Sequence, residues 1–167
     1  SMMVDFVSIF LRLLDIMISK SCIFCNIIER KLPAEILFED EYSLAILDVH
    51  PIHYGHSLII PKHHCNSFLD VPEEMYHSIF YSASLVTRAL VETYQLEGYN
   101  LFSNNGTVAG QSIFHFHLHI TPRYENDNIK FLLSLKKYQD GELEQTAEEL
   151  RKAIQSILQE HKSYDEI

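Results

Sequence analysis

Three histidines alternate with apolar residues in the stretch His115-Phe116-His117-Leu118-His119-Ile120. Alternation is the period of a β-strand, so the three imidazole rings are expected on one face of a strand, about 7 Å apart at successive steps. The apolar residues on the other face are expected in the core: Phe114, Phe116, Leu118 and Ile120. The stretch therefore predicts a row of polar rings on a rigid strand.

Composition narrows the class of protein. A chain of 167 residues, 47% hydrophobic and 22% charged, is typical of one globular domain. The formal charge is −10 with 13 lysines and arginines, which argues against a nucleic-acid partner because backbone phosphates need clustered cations. Three cysteines favour a reducing compartment over a disulfide framework, so a cytoplasmic location is expected.

Residues 1–20 form an apolar extension ahead of this domain. The segment carries Asp5, Arg12 and Asp15, lacks a basic start, and resembles neither a signal peptide nor a spanning helix. We expect a helix that packs on the domain of residues 21–167 or on a partner subunit. Its charged face is too weakly basic to predict a membrane partner.

The rest of the chain predicts strands and helices in the order strands, helix, strands, helix, with short connections. The strands are expected at residues 36–39, 42–48, 57–61, 99–103 and 113–121. Asp70 and Glu73 are expected to form a capping box that starts a helix reaching about Leu96, with Gly98 ending it. A 4-3-4-3 apolar spacing predicts a final helix over about 142–160. This order favours an antiparallel α+β domain.

A second constellation pairs Cys22-x-x-Cys25 with His63-His64, about forty residues later. Two cysteines at this spacing suit buried structural thiols, a redox pair or half of a zinc site. A redox role for the two cysteines requires a βαβ context, which the predicted elements do not provide. Zinc and buried thiols both remain open on the residues alone.

Two further motifs accompany the histidine row. A loop of small and amide residues, Asn104 to Ser112, comes before it, and the stretch Gly55-His56-Ser57-Leu58-Ile59-Ile60-Pro61-Lys62 lies upstream. With these motifs, residues 21–124 resemble the histidine-triad (HIT) superfamily of nucleotide hydrolases and transferases, most of all its Hint branch and bacterial relatives. The resemblance implies an α+β, five-stranded antiparallel sheet with two main helices, in a homodimer.

The resemblance also implies the roles of the site residues. A neutral imidazole nitrogen can attack phosphorus, and the middle histidine of the family motif does so, which assigns that role to His117. The third histidine implies phosphate and leaving-group contacts for His119, and the upstream motif places His56 at the phosphate. The remaining implied contacts are to the ribose hydroxyls from Asp48, and to the phosphate and leaving group from Asn104, Gln111 and Ser112.

Bacterial relatives of this type imply a metal as well. They close a structural zinc site with the second histidine of a Pro-Lys-x-His stretch and the first of the triad. That set would be Cys22, Cys25, His64 and His115 in this chain.

The predicted function is a hydrolase that cleaves purine nucleoside phosphoramidates or dinucleoside polyphosphates at the α-phosphate, through a nucleotidyl-His117 intermediate. Hydrolysis is favoured because the transferase branches usually carry Gln where this chain has His119. The alternative is a nucleotide-binding regulatory module with little turnover. A zinc-dependent hydrolase that uses the histidine row as metal ligands is a weaker interpretation. The segment Pro122-Arg123-Tyr124 differs from the Hint branch, so the resemblance does not assign the leaving-group pocket.

Overall fold

A computed structural model describes residues 11, 13, 14, 17 and 21–165 of the chain. The contact pattern separates two compact units, residues 1–129 and residues 130–167. The four described positions before residue 18 are helical. The rest of the predicted N-terminal helix, and the predicted boundary at residue 20, lie outside the described residues and stay predictions.

A five-stranded antiparallel sheet forms the first unit. Its strands are β1 (Ile36–Glu39), β2 (Ser43–Leu47), β3 (Ser57–Pro61), β4 (Gly98–Phe102) and β5 (Leu118–Arg123). Their order across the sheet is β1-β2-β3-β5-β4, and every neighbouring pair is antiparallel. The α+β prediction is confirmed.

Helices cover both faces of this sheet. Helix α1 (Ile23–Ile28) packs Phe24 and Ile27 against Leu44, Ile46, Leu58 and Ile60, the residues of β2 and β3 that point to one side. Helix α2 (Tyr76–Tyr94) packs on the other side, against a core that includes Ala45, Ile59, Phe116 and Ile120. The alternation of Leu44, Ala45 and Ile46 between two cores is what the strand period requires.

The predicted start and end of α2 are wrong in detail. The Asp70 carboxylate accepts hydrogen bonds from the backbone and hydroxyl of Ser67, at 3.0 and 2.9 Å, so the capping box lies one turn earlier than expected. Two short 3₁₀ turns, Phe68–Asp70 and Glu73–Met75, then lead into the helix. The helix ends at Tyr94, the next residue Gln95 caps it in the left-handed conformation, and Gly98 begins β4.

A buried polar network joins α2 to the turn between β1 and β2. Asp40 accepts hydrogen bonds from the Ser78 hydroxyl at 2.6 Å and from the backbone N–H of Ser43 at 2.8 Å, while Ser43 and Ser82 share a 2.6 Å contact. Burial would raise the pKa of Asp40, but these hydrogen bonds outweigh it and hold the pKa below its ordinary value. The carboxylate is therefore a charged clamp between the sheet and the helix.

The triad stretch is only partly a strand, which corrects the sequence expectation. Strand β5 begins at Leu118, so His115 and His117 lie ahead of it, and Phe114 is 49% exposed rather than in the core. The ladder to β3 stops after the pair Ile59 and Leu118. Pro61 has no N–H to continue the ladder, and the backbone of Phe116 instead donates to the carbonyl of Cys65 at 2.7 Å.

The second unit holds one long helix, α3 (Glu142–Asp165), which extends past the predicted end at residue 160. Between β5 and this helix, residues 124–141 contain no helix or strand, so the expectation of short connections throughout is wrong. Along the described part of the chain, no helix combines the length and apolar character needed to cross a bilayer.

Candidate active site and metal cluster

The ring of His117 is held by the backbone two residues before it. Its Nδ1 lies 2.7 Å from the carbonyl oxygen of His115. A carbonyl can only accept, so the ring hydrogen is on Nδ1 and the lone pair of a neutral ring is on Nε2. The edge of Phe24, 5.0 Å away between centroids, packs beside the ring. His117 therefore presents one unprotonated nitrogen.

The environment also keeps His117 neutral. Burial lowers its pKa, and this outweighs the opposing effects of the His115 carbonyl and the Asp48 charge. An imidazole with a lowered pKa retains its nucleophilic lone pair at neutral pH.

His119 and His56 form a directly bonded pair beside this ring. The Nδ1 atom of His119 lies 2.9 Å from Nε2 of His56, and the His119 ring is 4.7 Å from that of His117. Phe102 stacks on His119 at 4.6 Å with an interplanar angle of 5°. Burial, together with the neighbouring His117 and His56, lowers the pKa of His119 to about 4, so its ring is neutral at pH 7.

His56 is buried behind His119, with an exposed fraction of 2%. Its Nδ1 accepts a hydrogen bond from the backbone N–H of Ile52 at 3.0 Å, and its Nε2 is taken by His119. Both ring nitrogens of His56 therefore take part in hydrogen bonds within the protein. The predicted contact of His56 with the phosphate stays a prediction.

Asp48 follows β2 and faces the same histidines. One carboxylate oxygen accepts from the backbone N–H of His50 at 2.8 Å, and the other lies 3.7 Å from Nε2 of His56. The carboxylate is partly exposed, so a ligand can reach it.

The loop before the triad is shaped by Gly106 and Gly110, both with a φ near +90° that side chains rarely adopt. The Gln111 side chain accepts from the Gly106 N–H at 2.8 Å and donates to the carbonyl oxygen of Asn66 at 2.6 Å. Gln111 thus holds the loop, and its predicted nucleotide contact stays a prediction. Asn104 is half-buried and Ser112 exposed, and among the described residues neither hydrogen bonds to the histidines.

Two cysteines and two histidines form a separate cluster. The ligand atoms of Cys22, Cys25, His64 and His115 all lie within 4.8 Å of one another. The Cys25 sulfur is 3.2 Å from Nδ1 of His64, and the Cys22 sulfur is 3.4 Å from Nδ1 of His115. Zinc bond lengths in a tetrahedron place sulfur and nitrogen ligands about 3.6 Å apart. The donor set and spacing fit a tetrahedral ion.

The outer ring nitrogens of this cluster strengthen that fit. Nε2 of His115 lies 2.8 Å from the carbonyl oxygen of Pro61, and Nε2 of His64 lies 3.3 Å from Oδ1 of Asn66. A carbonyl partner places the hydrogen of His115 on Nε2 and leaves Nδ1 free to bind a metal. This is the usual arrangement of metal-binding histidines.

A second group of potential ligands, Asp48, His56 and His119, behaves differently. The Ile52 N–H occupies the lone pair at Nδ1 of His56, so the hydrogen of the neutral ring is on Nε2, toward His119. His56 therefore has no free lone pair for an ion. This weighs against a catalytic ion held by these three residues.

Sequence reasoning missed the groups that orient these rings. They are the backbone N–H of Ile52, the carbonyl oxygens of His115 and Pro61, and the ring of Phe102. Backbone groups carry no residue signal, and Phe102 meets His119 only through the pairing of β4 with β5.

Comparison with known proteins agrees with this fold and these motifs. The family model of the HIT domain matches residues 29–126. The chain belongs to the HIT family. It is 36% identical over 146 residues to the adenylylsulfatase HINT3 of Arabidopsis thaliana, covering 86% of this chain and 74% of the relative. It is 39% identical over 103 residues to the adenosine 5'-monophosphoramidase HNT1 of Saccharomyces cerevisiae, covering 62% of this chain and 63% of the relative.

Solved structures show the same architecture. A HIT family protein from Bacillus subtilis superimposes with a TM-score of 0.74 and 33% identity, over 79% of this chain and 96% of its own. A zinc-bound histidine triad family protein from Mycobacterium smegmatis gives a TM-score of 0.63 and 38% identity, over 68% of this chain and 82% of its own. The two named enzymes among these relatives are hydrolases, and one of the similar solved structures contains bound zinc.

Proposed function

We propose that this protein is a nucleotide hydrolase that cleaves purine nucleoside phosphoramidates or dinucleoside polyphosphates at the α-phosphate. The observation that carries the proposal is the 2.7 Å bond from Nδ1 of His117 to the His115 carbonyl, which leaves Nε2 as a neutral nucleophile. The two hydrolase relatives, an adenylylsulfatase and an adenosine monophosphoramidase, support an adenylyl substrate.

The proposed reaction has two displacements. Nε2 of His117 attacks the α-phosphorus, a phosphorus–nitrogen bond forms, and the bond to the leaving group breaks. Water then attacks the phosphorus of the nucleotidyl-His117 intermediate, a phosphorus–oxygen bond forms, the phosphorus–nitrogen bond breaks, and the nucleoside monophosphate is released. The proton that this water loses balances the proton that the leaving group takes up. A histidine nucleophile divides one difficult hydrolysis into two easier steps. His119 supports both by donating a hydrogen bond to the phosphoryl group, where negative charge develops.

The neighbouring residues are proposed to position the nucleotide. The two oxygens of the Asp48 carboxylate suit the vicinal hydroxyls of a ribose. Asn104 and Ser112 are proposed to contact the phosphate and the leaving group from the glycine-shaped loop. Gln111 acts on that loop by holding its backbone, as its hydrogen bonds indicate.

Zinc is the proposed occupant of the Cys22, Cys25, His64 and His115 cluster. Thiolates and imidazoles together favour zinc among common cellular metals. Four protein ligands leave no position for a reacting water, which makes the role structural. The ion would connect α1, the segment after β3 and the triad stretch. Its binding energy would then contribute to folding.

A homodimer is the proposed assembly. On α3 the apolar residues Leu143, Leu150, Ile154 and Ile157 share one face by their spacing, and each is more than half exposed. A groove of about 400 Å³ in the first unit is lined by residues of α2 and β4 such as Phe80, Val91, Tyr99 and Leu101. Exposed apolar surfaces of this kind mark protein interfaces.

The cytoplasm is the proposed location. Cys22, Cys25 and Cys65 form no disulfide with one another in the structure, which suits a reducing environment.

Substrate comparison tests the proposed reaction. The zinc-loaded protein is mixed with an adenosine phosphoramidate, adenylyl sulfate, a dinucleoside tetraphosphate and a nucleotide sugar, and kcat/KM is measured for each. A burst of leaving group and an acid-trapped adduct on His117 are expected with at least one adenylyl substrate. Tight binding with neither burst nor turnover would instead identify a nucleotide-binding regulatory module.

A further inference from the structure

We propose that the backbone N–H of Ile52, acting through His56, fixes the hydrogen of the His119 ring on Nε2. His119 can then donate a hydrogen bond from Nε2, but it cannot supply the proton that the leaving group needs. His56 is then a positioning residue. The role of His119 toward a substrate rests on the proposed function, whereas the assignment of ring hydrogens does not.

The first step concerns His56. The N–H of Ile52 points at its Nδ1 over 3.0 Å. A peptide nitrogen can only donate, so Nδ1 of His56 must accept and carries no hydrogen. The neutral ring then carries its hydrogen on Nε2. A second hydrogen on this ring would face the Ile52 N–H directly, which keeps His56 neutral in addition to the effect of burial.

The second step transfers this constraint to His119. Nε2 of His56 lies 2.9 Å from Nδ1 of His119 but 3.7 Å from the nearest Asp48 oxygen, which is beyond hydrogen-bond length. Nδ1 of His119 is therefore the acceptor, and the hydrogen of the neutral His119 ring is on Nε2. If His119 instead carried its hydrogen on Nδ1, the hydrogen of His56 would have to lie on Nδ1, where it would face the N–H of Ile52.

The third step concerns direction. Phe102 stacks on His119 nearly parallel, and the bond to His56 holds one edge of the ring. These contacts leave Nε2 as the free end of a half-buried ring that lies beside the nucleophile His117. A preorganised N–H at this place is suited to a phosphoryl oxygen on which charge develops.

The chain of hydrogen bonds cannot deliver a net proton. If His119 gave its Nε2 hydrogen to a leaving group, the hydrogen of His56 would have to move to Nδ1 of His119. His56 would then be an anionic imidazolate, because the Ile52 amide behind it does not release its proton. His119 therefore stabilises charge, and the leaving group receives its proton from water.

Nuclear magnetic resonance of the free protein tests the ring hydrogens without any substrate. Long-range ¹H–¹⁵N spectra of the full, zinc-loaded chain at pH 7 distinguish protonated from unprotonated ring nitrogens, and the variants His56→Gln and His119→Gln assign the signals. We expect both rings to carry hydrogen on Nε2 and to lack it on Nδ1. A hydrogen on Nδ1 of either ring would overturn the proposal, whatever the protein hydrolyses.

A matched pair of variants tests the origin of the constraint. Ile52→Ala keeps the backbone N–H, and both tautomers are expected to stay unchanged. Ile52→Pro removes the N–H, and a His56 population with hydrogen on Nδ1 is expected to appear. Unchanged tautomers in a folded Ile52→Pro variant would show that the amide does not set them. The wild-type spectrum decides the tautomers themselves if this variant fails to fold.

Leaving-group dependence tests the catalytic consequence. Adenylyl substrates with leaving groups of increasing basicity are compared in the wild type and in His119→Gln, which keeps an N–H donor but no ionisable ring. If His119 acts only as a hydrogen-bond donor, His119→Gln should lower kcat/KM by a similar factor for every substrate. A loss that grows with leaving-group basicity would show general acid catalysis by His119 and refute this part. Absence of hydrolysis in the wild type would count against the proposed function and leave the tautomer result standing.

Discussion

The backbone and the side chain of His115 serve two different sites. Its carbonyl oxygen accepts the Nδ1 hydrogen of His117 at 2.7 Å, while its own ring presents Nδ1 to the sulfur of Cys22 at 3.4 Å. The orientation of the candidate nucleophile therefore depends on a residue that belongs to the metal cluster. Loss of the proposed zinc ion would therefore shift the peptide group of His115 and, with it, the ring of His117.

Replacing His117 with Ala is expected to lower kcat by a factor on the order of 10³ or more, because the nucleophile is lost. Nucleotide binding is expected to persist, since Asp48 and His119 remain. Acid-quenched mass spectrometry should find a nucleotidyl adduct in the wild type and none in the variant. His77→Ala, an exposed histidine on α2, is the control. Activity above about a few per cent in the His117 variant would remove His117 as the nucleophile.

Removing the metal is expected to lower the thermal midpoint first and the activity as a consequence. Elemental analysis of protein purified without chelator should find one zinc per chain in the wild type and in the control Cys65→Ser. The double variant Cys22→Ser, Cys25→Ser should contain none. A full zinc content in the double variant would refute the site. Immediate loss of activity on chelation with an unchanged melting curve would point to a catalytic ion instead.

Replacing Asp48 with Ala is expected to weaken nucleotides with a free ribose diol by about 1–3 kcal/mol, the range for hydrogen bonds to a charged acceptor. Affinities for 2',3'-dideoxy analogues, measured by titration calorimetry, should change little. Asp48→Asn separates the two roles of the side chain, because its amide oxygen can still accept from the His50 backbone. Equal losses for both kinds of nucleotide would mean that Asp48 supports the fold and not the ribose.

Replacing Ser78 with Ala is expected to lower the free energy of unfolding at pH 7 by about 1–2 kcal/mol, because a hydrogen bond to the charged Asp40 is lost. The folded-state pKa of Asp40 lies below its ordinary value of 3.8, so this stabilisation is complete above that pH. The difference between variant and wild type should therefore shrink as the pH falls below 3.8. Urea denaturation at several pH values measures it. Ser84→Ala, exposed on the same helix, is the control, and an equal effect there would contradict the clamp.

Replacing Ile154 with Glu is expected to dissociate the proposed dimer, because Ile154 lies in the middle of the exposed apolar face of α3. Size-exclusion chromatography with light scattering gives the mass of each species. Gln155→Glu introduces a charge at the next position, outside this apolar face, and should leave the assembly unchanged. A dimer that persists in Ile154→Glu would show that this face of α3 does not hold the two copies together.

The arrangement of strands and helices followed from patterns of neighbouring residues. Strand β1 was expected at residues 36–39 and β3 at 57–61, and the structure has both at these bounds. Apolar runs between turn residues report burial directly, so they can be located from the chain alone. The start of α2 could not be located in this way. Asp70 could form a capping box either with Ser67 or with Glu73, and the conformation of the folded turn selects Ser67.

The candidate site divides in a similar way. The motifs of the triad, of Cys-x-x-Cys and of the stretch around His56 led to the prediction of a nucleotide hydrolase with a zinc site through the family resemblance that they carry. The expectation of three rings on one strand face was wrong, since the ladder between β3 and β5 stops at the pair Ile59 and Leu118 and the stretch before Leu118 leaves the sheet. The ring of His115 is consequently free to turn toward Cys22 and Cys25.

The residue types alone specify which atoms are available for chemistry: imidazole nitrogens, thiols and a carboxylate at recognisable spacings. What each ring does depends on the contacts that the fold creates around it. The carbonyl of His115, the carbonyl of Pro61 and the N–H of Ile52 select the protonated nitrogen of His117, His115 and His56 in turn. Every residue except proline has the same backbone N–H and C=O groups, so their effect depends on where the fold places them, and no residue pattern records it.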